Sequence, residues 1–265
     1  MTAPPPLQSR LVAGARLSVG LLTVLPVGSP RADRATAARA ILFAPLVGAA
    51  LGTAAGLAVW GLGELGTSPL IAAVLAIAAL AGITRGLHLD GLADTADGLG
   101  SRRDAAGALE VMKASDIGPF GVLTIVFAVL LQVAGLGALI AAGPDHHTVA
   151  TLALACGTAR VPVVWACRHG MPAARPDGLG ALVADNVSGV SAGLWAGTAL
   201  WAGALIGVMT DLGAARAVIA VGLALLTAGA LLEHCRRRFG GMTGDVLGAL
   251  VETAMTVCLV VLSTT

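Results

Sequence analysis

A chain of 265 residues with 57% hydrophobic and only 12% charged side chains carries about half the charge of an ordinary soluble domain, roughly 25%. That balance excludes a water-facing globular surface and leaves a membrane protein. The formal net charge of +1 points to no particular partner, and no nucleic acid is expected among them.

From the N-terminus, MTAPPPLQSR lacks the basic-then-apolar order of a cleavable signal peptide, and LSVGLLTVLPV at 17–27 is too short to cross a bilayer. Residues 1–39 are therefore expected to be cytoplasmic or interfacial, with a re-entrant piece as the alternative. A bilayer core of about 30 Å needs about 20 apolar residues per helical span. Uncharged runs of that order occupy 40–60, 65–84, 117–144 and 186–210. Three weaker runs follow the same logic: 148–166, interrupted by Arg160; 217–232, which is short; and 246–263, interrupted by Glu252. The fold expected is an all-α, polytopic membrane helix bundle of about seven spans, one domain over residues 1–265, with no internal repeat. Gly48, Gly52 and Gly56 recur at four-residue spacing in the first span and offer a face for close helix packing.

Sorting the basic residues by these spans tests them. Five precede span 1, four lie between spans 2 and 3, two follow span 4 and three follow span 6; Arg216 alone falls on the other side, and Arg160 lies within a span. The basic-rich side is expected to be cytoplasmic, which puts the N-terminus inside. Cys156, Cys167, Cys235 and Cys258 form no CxxC pair, so neither disulfides nor zinc are expected.

The loop at 85–116 breaks the apolar pattern. It holds six of the fifteen acidic residues, among them Asp90, Asp94 and Asp97 within GLHLDGLADTADGLGS, with no Lys or Arg between 86 and 101. If span 2 continues as helix past Arg85, these three stand at i, i+4 and i+7, within about 60° around the axis. Carboxylates held so close are tolerated when a cation neutralises them or a proton is taken up; ordinary surface aspartates at a solvated helix end are the bland alternative. Hard oxygen ligands with open positions suit Mg²⁺ completed by substrate phosphate, and the EF-hand spacing for calcium is missing. Ser101 followed by Asp104 fits a capping box, which makes Asp104 a capping residue rather than a ligand. Lys113 either contacts phosphate or opposes a helix dipole. His88 either serves as base or ligand or is simply hydrogen-bonded.

Further on, PDHH at 144–147 is expected as a loop on the outer face, away from the other polar clusters. Arg160 and Glu252 each lie six residues from the cytoplasmic end of a span, roughly 9 Å deep at 1.5 Å per residue. Ionisable groups at that depth are functional by default, with a structural salt bridge between the two as the alternative. Asp245, seven residues before Glu252, shares its helix face.

These segments resemble the cobalamin synthase family, the adenosylcobinamide-GDP ribazoletransferases. HLDGLADTADG at 88–98 carries the resemblance, supported by LTVLPV at 22–27, FAPLVG at 43–48, EVMKASDIGPFG at 110–121, GTARVPV at 157–163, ARPDGLG at 174–180 and GGMTGDVLGALVE at 240–252. The chain departs from the family at Ala114, where an acidic residue is common, and at Asp116, where a basic one is, so those two roles do not carry over. Lys113, Ser115 and Gly118 stay aligned.

The resemblance implies an inner-membrane, Mg²⁺-dependent transferase with its active site facing the cytoplasm. It would join adenosylcobinamide-GDP to α-ribazole or its 5'-phosphate and release GMP. Asp90, Asp94 and Asp97 would hold the metal, joined by Asp245; one of the aspartates or His88 would accept the hydroxyl proton. Lys113, Ser115, Arg160, Thr243 and Glu252 would bind substrate. Membrane lipid is an expected partner, and homo-oligomerisation is left open. Two rival readings stand beside it. A CDP-alcohol-type phosphotransferase opens its signature with D, G, two residues, A, R, but Asp94 and Thr95 occupy the last two positions in DGLADT. A cation-coupled transporter would place ionisable groups near the midplane of several helices, whereas here they gather at one end.

Overall fold

The computed structural model describes residues 7–28, 32–142 and 145–264. The first six residues of the N-terminal segment, Arg31 of the basic count and Pro144 of the expected outer loop thus lie outside the described residues. Eleven helices follow one another among those described: α1 (Leu7–Leu22), α2 (Arg34–Glu64), α3 (Pro69–Ile83), α4 (Leu87–Gly100), α5 (Ala105–Val111), α6 (Pro119–Ala142), α7 (Asp145–Ala166), α8 (Gly178–Val183), α9 (Gly189–Met209), α10 (Ala214–Phe239) and α11 (Gly244–Leu262). Six of them, α2, α6, α7, α9, α10 and α11, are long and apolar enough to cross a membrane, and α3 with α4 makes a seventh if the bent pair is one broken span. The chain is a multi-pass membrane protein.

Each expected span contains one helix, and the differences lie at the joints. Span 2 does not continue past Arg85 as expected: α3 stops and α4 leaves it at 86°. The stop is a Schellman closure, with Gly86 N–H donating to the Ala81 carbonyl at 2.8 Å and Arg85 N–H to that of Gly82 at 3.0 Å. Arg85 (φ 57°) takes the left-handed position that glycine usually fills, and Gly86 (φ 68°) follows it. The Thr84 hydroxyl donates back to Leu80 and reinforces the stop. At 14 residues with three aspartates, α4 is too short and too polar to be a span by itself.

The capping box at Ser101 does not form, but Asp104 caps a helix as expected. Ser101 ends α4, and Asp104 is itself the N-cap of α5, its carboxylate accepting the Gly107 N–H at 2.9 Å. His146 and His147, expected in a loop, belong to the first turn of α7, where His147 stands 3.7 Å from Asp211. The N-terminal piece folds as α1, a single helix packed on α2 with Gly14 against Arg39.

Burial follows the membrane setting. α11 is apolar and buried around nearly its whole circumference, from Val246 to Leu262, and contacts α4, α6, α7 and α10. It is the central post. α6 and α9 sit outside and present large apolar side chains outward, such as Phe127, Leu194, Trp201 and Val208, as a lipid-facing rim does. The most extensive helix pair is α2 with α7. There Gly48, Gly52 and Gly56 all meet α7, and an added Cβ would run into the Cys156 carbonyl, the Leu152 carbonyl and the Val149 backbone in turn. The expected small-residue face is the tightest helix contact in the bundle. Gly61, on the same helix, has open space around it. Gly52→Leu should therefore destabilise the protein by about 3 kcal/mol and Gly61→Leu by less than about 0.5 kcal/mol, read as unfolding transitions in detergent.

Candidate active site

The carboxylates meet where α4 crosses α11, and glycine sets the distance between the two helices. A Cβ at Gly91 would fall 2.5 Å from the Asp245 carbonyl oxygen, and one at Gly248 would fall 2.9 Å from that of His88. Each helix contributes one glycine to the crossing. That puts Asp90 and Asp94, on either side of Gly91, beside Asp245 in the first turn of α11. Asp90 is exposed, while Asp94 and Asp245 are half-buried. Burial, then the charges of Asp90, Asp245 and Asp97, push the Asp94 carboxyl up to about 7, with Arg175 opposing them. This is the strain that a cation would relieve.

Asp97 has other work. It is buried, and its two oxygens accept the Gly118 N–H at 2.7 Å and the Gly121 N–H at 3.0 Å. It thereby satisfies the open amides at the start of α6 from a neighbouring helix. A Cβ at Gly118 or Gly121 would collide with this carboxylate, which explains both glycines of GPFG.

Asp245 is held by its own loop and by one guanidinium. The Thr243 hydroxyl lies 3.2 Å from Asp245 Oδ2 and accepts the Val246 N–H as the N-cap of α11. Arg175, in the loop between α7 and α8, stands 3.7 Å from Asp245 and donates to the Leu109 carbonyl at 2.8 Å. That loop is stitched to the one before α11: Ala174 N–H donates to the Met242 carbonyl, and Met242 N–H to that of Pro172, both at 2.9 Å. Between them opens a cavity of about 200 Å³ lined by Arg175, Asp177, Gly180, Thr243 and Asp245. Lys113 reaches Asp177 at its rim, 3.8 Å away, both side chains more than half exposed. An exposed pair at that distance contributes little stability, so Lys113 is free to change partner. Ser115 is exposed on the adjoining loop before α6.

The remaining expected residues lie elsewhere. His88 is buried on the opposite side of α4 and lines a separate cavity of about 40 Å³ with Ser18 and Leu247. Arg160 and Glu252 are both buried inside the bundle and form no ion pair with each other, so the alternative of a structural salt bridge is not realised. Arg160 donates to the Cys156 carbonyl at 3.0 Å, and Glu252 accepts from Gln132 at 2.8 Å. Gln132 also donates to Thr256 at 3.0 Å.

Sequence reasoning missed Arg175, Asp177 and Gln132. Gln132 had a signal, as the one amide in an uncharged run; Arg175 and Asp177 sit in a short loop without periodicity, within the quoted ARPDGLG.

Among the described residues, no three His, Cys, Asp or Glu side chains form a group able to hold a metal ion by themselves. With Asp97 occupied by amides, Asp90, Asp94 and Asp245 are the open carboxylates. A few carboxylates completed by phosphate oxygens is the way Mg²⁺ is usually bound, so this set fits a metal shared with substrate and not a closed protein cage.

A family model described as cobalamin-5-phosphate synthase matches residues 14–263, nearly the whole chain. The chain belongs to the cobalamin-5-phosphate synthase family. Relatives named adenosylcobinamide-GDP ribazoletransferase include one from Frankia casuarinae, 42% identical over 95% of this chain and 94% of the relative. One from Nocardioides sp. is 41% identical over 92% and 95%, and one from Bradyrhizobium diazoefficiens 40% over 95% and 93%. No solved structure matches the chain. The crossing of α4 and α11 with the Arg175 cavity is where the open carboxylates and a guanidinium come together. Asp97→Ala should lower stability by about 2 kcal/mol through the uncapped α6, whereas Asp90→Ala should leave it unchanged, as measured by thermal unfolding in detergent.

Proposed function

We propose that the protein transfers the adenosylcobinamide phosphate group from adenosylcobinamide-GDP to α-ribazole or α-ribazole 5'-phosphate, releasing GMP. The observation that carries this reading is the meeting of Asp90, Asp94 and Asp245 with Arg175 beside a cavity, at one end of an otherwise apolar bundle. The name the relatives carry supplies the substrate.

Asp90, Asp94 and Asp245 would hold Mg²⁺. When bound, the ion neutralises charge on the diphosphate and on the leaving GMP. Arg175 and Lys113 each face a carboxylate in the free protein and turn their charge to the incoming diphosphate. Thr243 keeps Asp245 in position at the helix start, and Ser115 borders the entrance. A ribazole hydroxyl oxygen attacks the phosphorus on the cobinamide side; the new P–O bond forms as the bond to the GMP oxygen breaks. The hydroxyl proton passes to a carboxylate at the crossing, Asp90 or Asp94, in preference to His88, whose ring lies in another cavity. Arg160 and Glu252 lie deeper in the bundle and neither lines the cavity beside Asp245, so neither is given a contact with substrate.

The same end of the bundle carries the basic residues. Arg34 donates to the carbonyls of Ala181 and Ala184, and Arg238 to those of Ser101 and Arg103. The start of α2, the end of α8, the end of α10 and the α4–α5 loop are therefore on one side with the carboxylates. By the positive-inside rule that side is cytoplasmic, and the membrane would be the inner membrane.

The test is GMP release by the detergent-purified protein. Release should require adenosylcobinamide-GDP, α-ribazole and Mg²⁺ together, and no release with any divalent metal would overturn the reading. Asp94→Asn should fall by about 100-fold or more while remaining folded; release at the wild-type rate would remove the metal assignment. Arg175→Gln should raise KM for the diphosphate substrate and lower kcat, by about 10-fold or more combined.

A further inference from the structure

A third cavity lies on the lipid-facing rim, and none of the carboxylates lines it. It is a groove of about 360 Å³ between α1, α2 and α9, within the volume range of small-molecule sites. Leu42, Phe43 and Leu46 form one wall, Leu194 and Trp195 the other, and Arg39 stands at one end with Ser191. Arg39 and Ser191 both lie near the starts of their helices, and Leu46 and Thr198 are seven residues further along each. The groove therefore runs about 10 Å along the helix axes, from a polar end level with the other basic residues to an apolar end inside the span.

Arg39 is half-buried and forms no close ion pair among the described residues; its charge acts on the exposed Asp33 at the start of α2, which leaves the guanidinium without a direct carboxylate contact. Most other basic residues at this end are tied to something: Arg34 to the end of α8, Lys113 to Asp177, Arg175 to Asp245, Arg236 and Arg237 to Glu233, and Arg238 to the α4–α5 loop. A guanidinium set among apolar side chains at a membrane boundary calls for an anion, and the positive end of the α9 dipole is beside it. The partner available along a lipid-facing groove is a lipid headgroup.

We propose that this groove binds one glycerophospholipid with a net-negative headgroup, its phosphate on Arg39 and the upper part of one acyl chain along Phe43, Leu46 and Leu194. A zwitterionic headgroup carries its own ammonium beside the phosphate and so competes with Arg39, which makes the site selective by charge. The site is independent of the transferase reading and holds whether or not that reading does.

Native mass spectrometry of the delipidated protein, titrated with phosphatidylglycerol and phosphatidylcholine of matched chains, tests it. One basic residue near a membrane surface contributes about 1 kcal/mol towards an anionic lipid, hence about a five-fold preference for phosphatidylglycerol. Arg39→Gln should abolish the preference and Arg39→Lys should keep most of it. Gly14 packs against the Cβ and backbone of Arg39, so changes further out on the side chain leave the α1–α2 contact intact. Leu194→Trp should fill the groove and remove bound lipid of both kinds, while Arg102→Gln, on the exposed α4–α5 loop, should change nothing. Equal binding of the two lipids by the wild type, or a preference that survives Arg39→Gln, would overturn the proposal.

Discussion

The site depends on how closely α4 can approach α11. Two helices carrying three carboxylates at their contact repel, and only a backbone-to-backbone crossing at Gly91 and Gly248 brings Asp90, Asp94 and Asp245 together. Any larger side chain at either glycine separates the helices and scatters the carboxylates. Two anchors make that approach secure. α11 is buried around most of its surface and cannot shift without disturbing α6, α7 and α10, and Asp97 fastens the far end of α4 to the start of α6. The run of aspartates thus divides its labour. Asp97 supplies rigidity, and the other two remain open for chemistry.

The free protein stores its electrostatic conflict in one place. Asp94 is pushed up towards 7 by burial and by three neighbouring carboxylates, while Arg175 and Lys113 each pair loosely with an acid at 3.7 and 3.8 Å. Both separations exceed a direct charge-assisted hydrogen bond, about 2.7–2.9 Å. Under the proposed function, a cation with a diphosphate would resolve these contacts at once, the metal meeting the carboxylates and the phosphates meeting the bases. The buried cluster around Glu252 is different. Gln132 and Thr256 engage each other and the glutamate, which suits a polar tie between α6 and α11 within the bundle.

Much of this arrangement was legible in the sequence, for a physical reason. In a bilayer the backbone must satisfy itself within each helix, so apolar run length alone marks the spanning segments, and basic residues mark the side. The joints were less legible. The bend after α3 hinges on Arg85 in a left-handed conformation, one position ahead of the glycine that usually announces such a stop. Nothing in the spacing of residues 101–104 distinguished a capping box from a helix that begins three residues later.

The sequence by itself determined the all-helical membrane architecture, the clustering of carboxylates on one face of one helix, the close face of α2 and the family. Those properties are local, set by hydropathy over about 20 residues, by the 3.6-residue period and by motif identity. Only the tertiary structure decided which carboxylates stay open, that Arg175 joins them, that His88 turns away and that Arg160 and Glu252 do not pair. Those outcomes hang on contacts between residues far apart in the chain, such as Asp97 with Gly118 and Gly121 or Arg175 with Asp245, and such contacts exist only once the helices have packed.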